Sequence, residues 1–248
     1  MKKNIIYSLL LAVAVLFAGC EDKLDIAKHG NMGGQEDFYK TDEQAENAVA
    51  SMYYSVKGLY FNWFMLKNCL SDDAWCGGGQ RGDNTAMEQL NEYTFGADNS
   101  MVQGVFTGLY SVIYNSNLII EKVADDTPIK RRAIAEAKFF RAWANFELVT
   151  LWGTAPLVDH LLETNEYRQS NSTPEALWSA VEADLQSAIS MNALPSKSSK
   201  DDQETGIRVT KEVAMAYLGK AYLFEKKYSE AATILNQVVD SKKYDLFR

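Results

Sequence analysis

The sequence predicts an all-α protein, built as a tetratricopeptide-like helical-repeat scaffold with long loops. Three observations lead to this fold class. Apolar residues recur with helical spacing in several separate segments of the chain. Only four prolines interrupt its 248 residues. The C-terminal segment also carries the spacing of a helical repeat.

The first helix is predicted to begin at Thr41 and to end near Gly58. Thr41 and Gln44 fit a capping box, and glycine suits a helix C-terminus. The apolar stripe of this helix consists of Ala45, Ala48, Val49, Met52, Tyr53 and Val56. Residues 71–100 have three consecutive glycines and no long apolar period, so they are predicted to form a long loop. Loops of that length in compact domains are usually functional or disordered.

Three further helices are predicted at 101–123, at about 130–152 and at 172–189. The last begins with Thr173 as its N-cap and with a proline at its first helical position. The helix at 130–152 is unusually aromatic. Its rings at 139, 143 and 146 share one helical face and Phe140 flanks them, so we interpret them as core rather than as a sugar site.

The last segment has the L-G-x2-Y…A-x3-F spacing of a tetratricopeptide repeat. Leu218 and Gly219 are followed by Tyr222, and Ala231 and Leu235 complete the pattern. The small residues allow two antiparallel helices to approach closely. Because one repeat cannot bury its own apolar face, this pair is expected to stack on the helices at 130–152 and 174–190.

The N-terminus is expected to be a targeting segment. Two lysines precede an apolar run at 5–18, which is shorter than the roughly 20 residues that cross a bilayer. Ala18 and Gly19 before Cys20 resemble the cleavage box of bacterial lipoproteins. We therefore predict a signal peptide at 1–19, a tether at 20–40 lipidated at Cys20, and a helical domain at 41–248. The alternative is a soluble secreted protein with an unmodified Cys20.

Composition argues against several function classes. The net charge of −8 leaves no basic stripe for nucleic acid. With two histidines and no CxxC or HExxH motif, neither a metal nor a cofactor is expected. Asp72 and Asp73 are adjacent and diverge, whereas glycoside hydrolysis needs facing carboxylates, and no GxSxG motif is present, so we predict no enzyme. Whether Cys69 and Cys76 form a disulfide stays open.

Two polar residues, Asn117 and Arg141, lie within apolar helical faces. We interpret both as structural. A buried arginine needs a carboxylate or carbonyl partner, and Glu136 or Glu147 could supply it.

The loop at 71–100 contains the candidate binding residues. Sugar recognition uses a flat aromatic face together with planar polar groups. Asp73, Trp75, Arg81, Asp83 and Asn84 supply those types within a short stretch. The alternative is a solvated loop whose Trp75 packs on the scaffold.

The order of the helical blocks supports a family resemblance. Behind a lipoprotein signal, FYKTDEQAENAVASMYYSV is followed by VFTGLYSVIYNSNLIIEKV, and the most specific block is AEAKFFRAWANFELVTLWGTAPLV. This series resembles the N-terminal half of the SusD/RagB family of Bacteroidetes outer-membrane nutrient-binding lipoproteins. Family members are much longer, so the chain is expected to be truncated relative to them.

The resemblance implies a surface-exposed, lipid-anchored outer-membrane protein without enzymatic activity. Such a protein binds a glycan, starch-like or another polysaccharide, and delivers it to a SusC-like TonB-dependent transporter. The loop at the SDDAW position would contribute to the ligand-facing surface. Two alternatives remain: a helical-repeat adaptor that contacts the transporter without binding glycan, and a peptide-binding family member.

Overall fold

The computed structural model describes residues 38–245, and those from Tyr39 onward belong to one compact unit. Within the described residues the fold is all-α, which confirms the predicted fold class. The only β pairing there is an isolated bridge between Ala155 and Ser172. The helices are α1 (Asp42–Cys69), α2 (Thr85–Asn91), α3 (Ser100–Lys122), α4 (Pro128–Trp152), α5 (Pro174–Ser190), α6 (Lys211–Phe224) and α7 (Tyr228–Asp240).

Side-chain caps set where several helices begin. The Thr41 Oγ1 atom accepts a hydrogen bond from the Gln44 backbone N–H at 3.2 Å, and the Gln44 Oε1 atom accepts one from the Thr41 N–H at 3.0 Å. This is the predicted capping box of α1. Thr127 and Thr173 cap α4 and α5, each directly before a proline. At the other end of α4, Gly153 adopts a left-handed φ of 75°, which ends the helix.

Helix α1 is longer than predicted, because it continues past Gly58 to Cys69. A glycine inside a helix costs about 1 kcal/mol relative to alanine. That cost is small beside the burial of Leu59 and Leu66, which extend the apolar seam of the helix beyond the glycine. The prediction that α1 ends near Gly58 was therefore wrong.

The segment predicted as an uninterrupted loop contains the short helix α2. The Asn84 side chain caps it by accepting from the Met87 N–H at 3.2 Å. Met87 and Leu90, three residues apart, are both buried. These two residues dock α2 against the scaffold, and the prediction of a helix-free segment at 71–100 was wrong.

Helix α4 lies at the centre of the fold and packs against α1, α3, α5 and α6. Its aromatic stripe is buried, as predicted; the rings are those of Phe139, Phe140, Trp143 and Phe146. The Phe146 ring packs edge-on against Trp178 of α5 and Phe224 of α6, with centroids 5.4 and 5.2 Å apart. Edge-to-face rings at these distances are favourable, so the stripe joins three helices.

Helices α6 and α7 form the predicted closely packed pair. A Cβ atom placed on Gly219 would lie 2.5 Å from the Cγ atom of Leu235, so the pair can approach this closely only because position 219 has no side chain. Ala231 is buried in the same contact. Tyr222 faces α5, where its hydroxyl accepts a hydrogen bond from the Gln186 Nε2 atom at 2.9 Å.

Arg141 connects two helices and a loop. Its Nε and Nη2 atoms donate to the two carboxylate oxygens of Asp184 on α5, at 2.7 and 2.8 Å. Its Nη1 atom donates to the Asn117 side chain at 2.8 Å and to the Asp159 carbonyl oxygen. The structural interpretation of Asn117 and Arg141 agrees with this geometry.

The expected partners of Arg141 were wrong. The buried carboxylate of Glu136 pairs with Arg132 at 2.8 Å and with Arg208. The buried carboxylate of Glu147 instead accepts from Lys67 at 2.6 Å. Both acids are therefore engaged by other cations.

The chain reverses direction between successive long helices, which brings several helix ends together. Phe106, near the start of α3, contacts Trp152 at the end of α4, with ring centroids 5.2 Å apart. Asn62 of α1 packs against Gly104 in the first turns of α3. The loop that follows α1 therefore lies at the same end of the scaffold as the first turns of α3.

Candidate functional site

A surface cleft of about 260 Å³ lies in the segment between α1 and the end of α2. It is lined by Trp75, Cys76, Gly77, Gly78, Gln80, Arg81, Glu88 and Glu92. The Trp75 side chain is 81% exposed, so it is not packed on the scaffold, contrary to the alternative interpretation of this loop. The cleft thus offers a free indole beside polar groups.

Paired charges shape the polar side of the cleft. The two terminal nitrogens of Arg81 donate to the two carboxylate oxygens of Glu92, each at 2.8 Å. The Glu88 carboxylate accepts the Gly82 backbone N–H at 2.8 and 3.0 Å. Gly82 has a left-handed φ of 94°, which favours glycine at this turn. These contacts fix the planar groups of the cleft next to Trp75.

The five sequence-predicted residues divide into two groups. Trp75 and Arg81 line the cleft together. Asp83 stabilises a turn, since its Oδ2 atom accepts the Gln80 N–H at 3.0 Å, and Asn84 caps α2. Asp73 is exposed and does not line the cleft.

Sequence reasoning missed six of the eight residues that line the cleft, among them the polar side chains of Gln80, Glu88 and Glu92. Glu88 lies in α2 and Glu92 caps its C-terminal end, four positions later. That spacing places both carboxylates on one side of a helix. The spacing of Glu88 and Glu92 indicates a shared surface only when residues 85–91 are known to form a helix.

Two cysteines border this segment, and both are free thiols. Cys69 ends α1 and is buried, whereas Cys76 lines the cleft. Burial raises the pKa of the Cys69 thiol, and the nearby Cys76 thiol raises it further.

His160 lies in the loop between α4 and α5 and contacts two carboxylates. Its Nδ1 atom is 2.8 Å from Asp159 Oδ1, and its Nε2 atom is 3.2 Å from Glu166 Oε2. The hydrogen bond with Asp159, followed by that with Glu166, raises the pKa of His160 above its ordinary value. These contacts link Asp159, His160 and Glu166 within the same loop and stabilise its conformation.

The described part of the chain lacks two features, a cluster of metal-binding side chains and a membrane-crossing helix. Among residues 38–245, no three His, Cys, Asp or Glu side chains come together as a metal site. In the same range, no helix has both the length and the apolarity required to cross a bilayer. Cys20 lies outside the described residues, so its lipidation stays a prediction, as does the division into segments at 1–19, 20–40 and 41–248.

The fold and the site together define a helical-repeat scaffold that presents an exposed tryptophan beside a polar cleft. The chain belongs to the SusD-like family, whose model is described as "Starch-binding associating with outer membrane" and matches residues 35–223. This confirms the family resemblance.

The chain is also similar to individual SusD-like proteins. The chain is 29% identical to the SusD-like protein P2 of Formosa agariphila, over 99% of this chain and 48% of that protein. A solved laminarin-binding SusD-like protein is 30% identical, with a TM-score of 0.71 over 81% of this chain and 44% of that one. A surface glycan-binding protein A of Bacteroides thetaiotaomicron, solved with laminarihexaose, shares the fold at 22% identity and a TM-score of 0.69, covering 83% of this chain and 44% of that one. The chain spans about half the length of the curated relatives it matches.

Proposed function

We propose that this protein binds a polysaccharide at the Trp75 cleft and delivers it to a SusC-like TonB-dependent transporter, without chemical change to the glycan. The observation that carries the proposal is the 81% exposure of the Trp75 side chain at the cleft. Large aromatic side chains are normally buried, and full burial of one is worth about 1.5–3 kcal/mol. A pyranose ring stacked on this indole would recover part of that free energy.

The polar groups of the cleft suit sugar hydroxyls. Gln80 offers an amide that can both donate and accept, and the Arg81–Glu92 pair offers a planar array of donors and acceptors. A few polar groups beside an apolar face set orientation and specificity in small-molecule sites. The cleft therefore has both components that we expect of a glycan site.

The charge of this segment favours a neutral glycan over an anionic one. Between residues 70 and 99 the sequence has six acidic residues and a single basic one, Arg81, which is already paired with Glu92. The acids are Asp72, Asp73, Asp83, Glu88, Glu92 and Asp98. A uronate or sulfate group would be repelled here, whereas starch and laminarin carry no charge. Laminarin is the ligand named for the 30%-identical solved relative, which supports its use as a probe.

The proposed location is the cell surface, with the chain anchored in the outer membrane through acylated Cys20. Support comes from the lipoprotein-like N-terminus and from the outer-membrane association of the family. Acyl chains add about 0.8 kcal/mol per buried methylene, so two or more hold a protein durably on a membrane. The anchor would keep the cleft close to a transporter in the same membrane.

Trp75→Ala is expected to weaken polysaccharide binding at least tenfold, because it removes the stacking surface. Affinity electrophoresis through gels that contain laminarin or starch measures this. Tyr167→Ala is the matched control, since Tyr167 is 68% exposed in a different loop and should leave the affinity unchanged. Equal retardation of Trp75→Ala and the unsubstituted protein would remove the cleft from the proposal.

A second candidate function is that of an adaptor that contacts the transporter without binding glycan. It is favoured by an exposed aromatic surface on α1, formed by Tyr60, Phe61 and Phe64. The Tyr60 and Phe64 rings stack with centroids 5.9 Å apart. Contiguous exposed apolar surface of this kind marks interaction sites.

Co-purification from bacterial outer membranes, combined with affinity electrophoresis, separates the two functions. Serine substitutions at 60, 61 and 64 are expected to reduce recovery of a barrel transporter several-fold, while Trp75→Ala leaves recovery unchanged. A protein that recovers the transporter but is not retarded by any polysaccharide would be an adaptor. Retention of peptides in place of polysaccharides would identify a peptide-binding member of the family.

A further inference from the structure

One side chain holds both sequence neighbours of Trp75. The Asn91 Oδ1 atom accepts a hydrogen bond from the Cys76 backbone N–H at 3.0 Å. The Asn91 Nδ2 atom donates to the Ala74 carbonyl oxygen at 3.0 Å. The residue before and the residue after the exposed indole are therefore fixed by a single amide.

The same amide ties this segment to the end of α1. Its Nδ2 atom also donates to the Cys69 carbonyl oxygen at 3.3 Å. The last carbonyls of a helix have no partner within the helix, so they accept such donors readily. Nearby, the Tyr93 hydroxyl donates to the Leu70 carbonyl oxygen at 2.7 Å, which reinforces the link between α1 and the end of α2.

Asparagine is well suited to this position. Its amide carries one acceptor oxygen and a nitrogen with two N–H donors, and all of these groups are used here. Asn91 is the last residue of α2, whose buried Met87 and Leu90 hold the helix on the scaffold. A rigid helix end therefore supports the backbone on either side of Trp75.

We propose that Asn91 is a positioning residue that presents Trp75 to the ligand. Asn91 does not line the cleft, so it acts through the backbone of residues 74 and 76. An aromatic side chain held in its binding orientation before the ligand arrives loses less entropy on binding. This proposal rests on the proposed glycan-binding function, but the orientation of the indole can be measured without a ligand.

The experiment uses the full chain labelled with 5-fluorotryptophan and observed by ¹⁹F NMR. The chain has five tryptophans, and the Trp75 resonance is the one that disappears in Trp75→Phe. Asn91→Ala is expected to move and sharpen only that resonance, as the indole gains freedom, and to weaken laminarin binding about three- to tenfold. Asn91→Asp keeps the acceptor but loses both donor contacts, and should move the same resonance if Asn91→Ala does not fold.

Gln89→Ala is the matched control. Gln89 also lies in α2 and accepts a hydrogen bond from Asn99 Nδ2 at 3.1 Å, but it does not touch the neighbours of Trp75. It should leave the Trp75 resonance in place. An unchanged Trp75 resonance in a folded Asn91 variant would overturn the positioning role. If the unsubstituted protein binds no polysaccharide, the proposed function fails, whereas the ¹⁹F comparison still decides the role of Asn91.

Discussion

Arg141→Ala is expected to lower the free energy of unfolding by about 3–5 kcal/mol. The side chains of Arg141 and Asp184 are only 11% and 9% exposed. Removing the guanidinium leaves the Asp184 carboxylate buried without its cation. It also removes the donor to Asn117 and to the Asp159 carbonyl oxygen, so α3, α5 and the loop after α4 lose their common partner on α4.

Urea unfolding measures this loss, with Asp184→Ala and the double variant completing the cycle. The double variant should be less destabilised than the sum of the two single variants, because it leaves no unpaired buried charge. Arg131→Ala is the control, since its pair with Asp125 is about half exposed on both sides and exposed ion pairs contribute little to stability. If Arg141→Ala lowers the free energy of unfolding no more than Arg131→Ala does, the structural role of Arg141 is contradicted.

The carboxylate partner of Arg141 could not be predicted from the sequence. Glu136 and Glu147 are close in sequence, but they lie five and six positions away, on other faces of α4. Only residues three or four apart are neighbours on a helix. The true partner, Asp184, is 43 positions away on another helix, and its pairing depends on how α5 packs.

Helix boundaries were predictable where local chemistry sets them. Thr41 and Thr173 cap their helices through contacts within three residues, and the sequence displays those contacts directly. The extension of α1 past Gly58 depends instead on tertiary burial of Leu59 and Leu66. Local propensity cannot report such a contribution.

The cleft was partly predictable. The exposed Trp75 and the neighbouring Arg81 stand out by residue type. Asn91 does not, because its role is a set of hydrogen bonds that reach back 15 to 22 positions. The seven-residue α2 is also too short for its apolar period to be distinguished from a loop.

Phe146→Ala is expected to cost about 3–5 kcal/mol of stability without changing glycan affinity. The Phe146 side chain is buried between α5 and α6, where it contacts Trp178 and Phe224. Its removal leaves a cavity that the three helices cannot close without repacking. Trp75→Ala should show the opposite pattern, with a stability change within about 0.5 kcal/mol, because an exposed side chain makes few contacts to lose.

Urea unfolding measures the stability of both variants. Affinity electrophoresis, carried out at a temperature where each variant is folded, measures their glycan affinity. Phe224→Ala provides an intermediate case, because this partner of Phe146 is 55% exposed and should cost less. Reduced glycan affinity in a fully folded Phe146→Ala protein would mean that the aromatic stripe of α4 takes part in binding. Unchanged glycan affinity in Phe146→Ala would give the two aromatic side chains different roles. Phe146 on α4 would serve to pack the helices together, and the Trp75 indole after α1 would serve to contact the ligand.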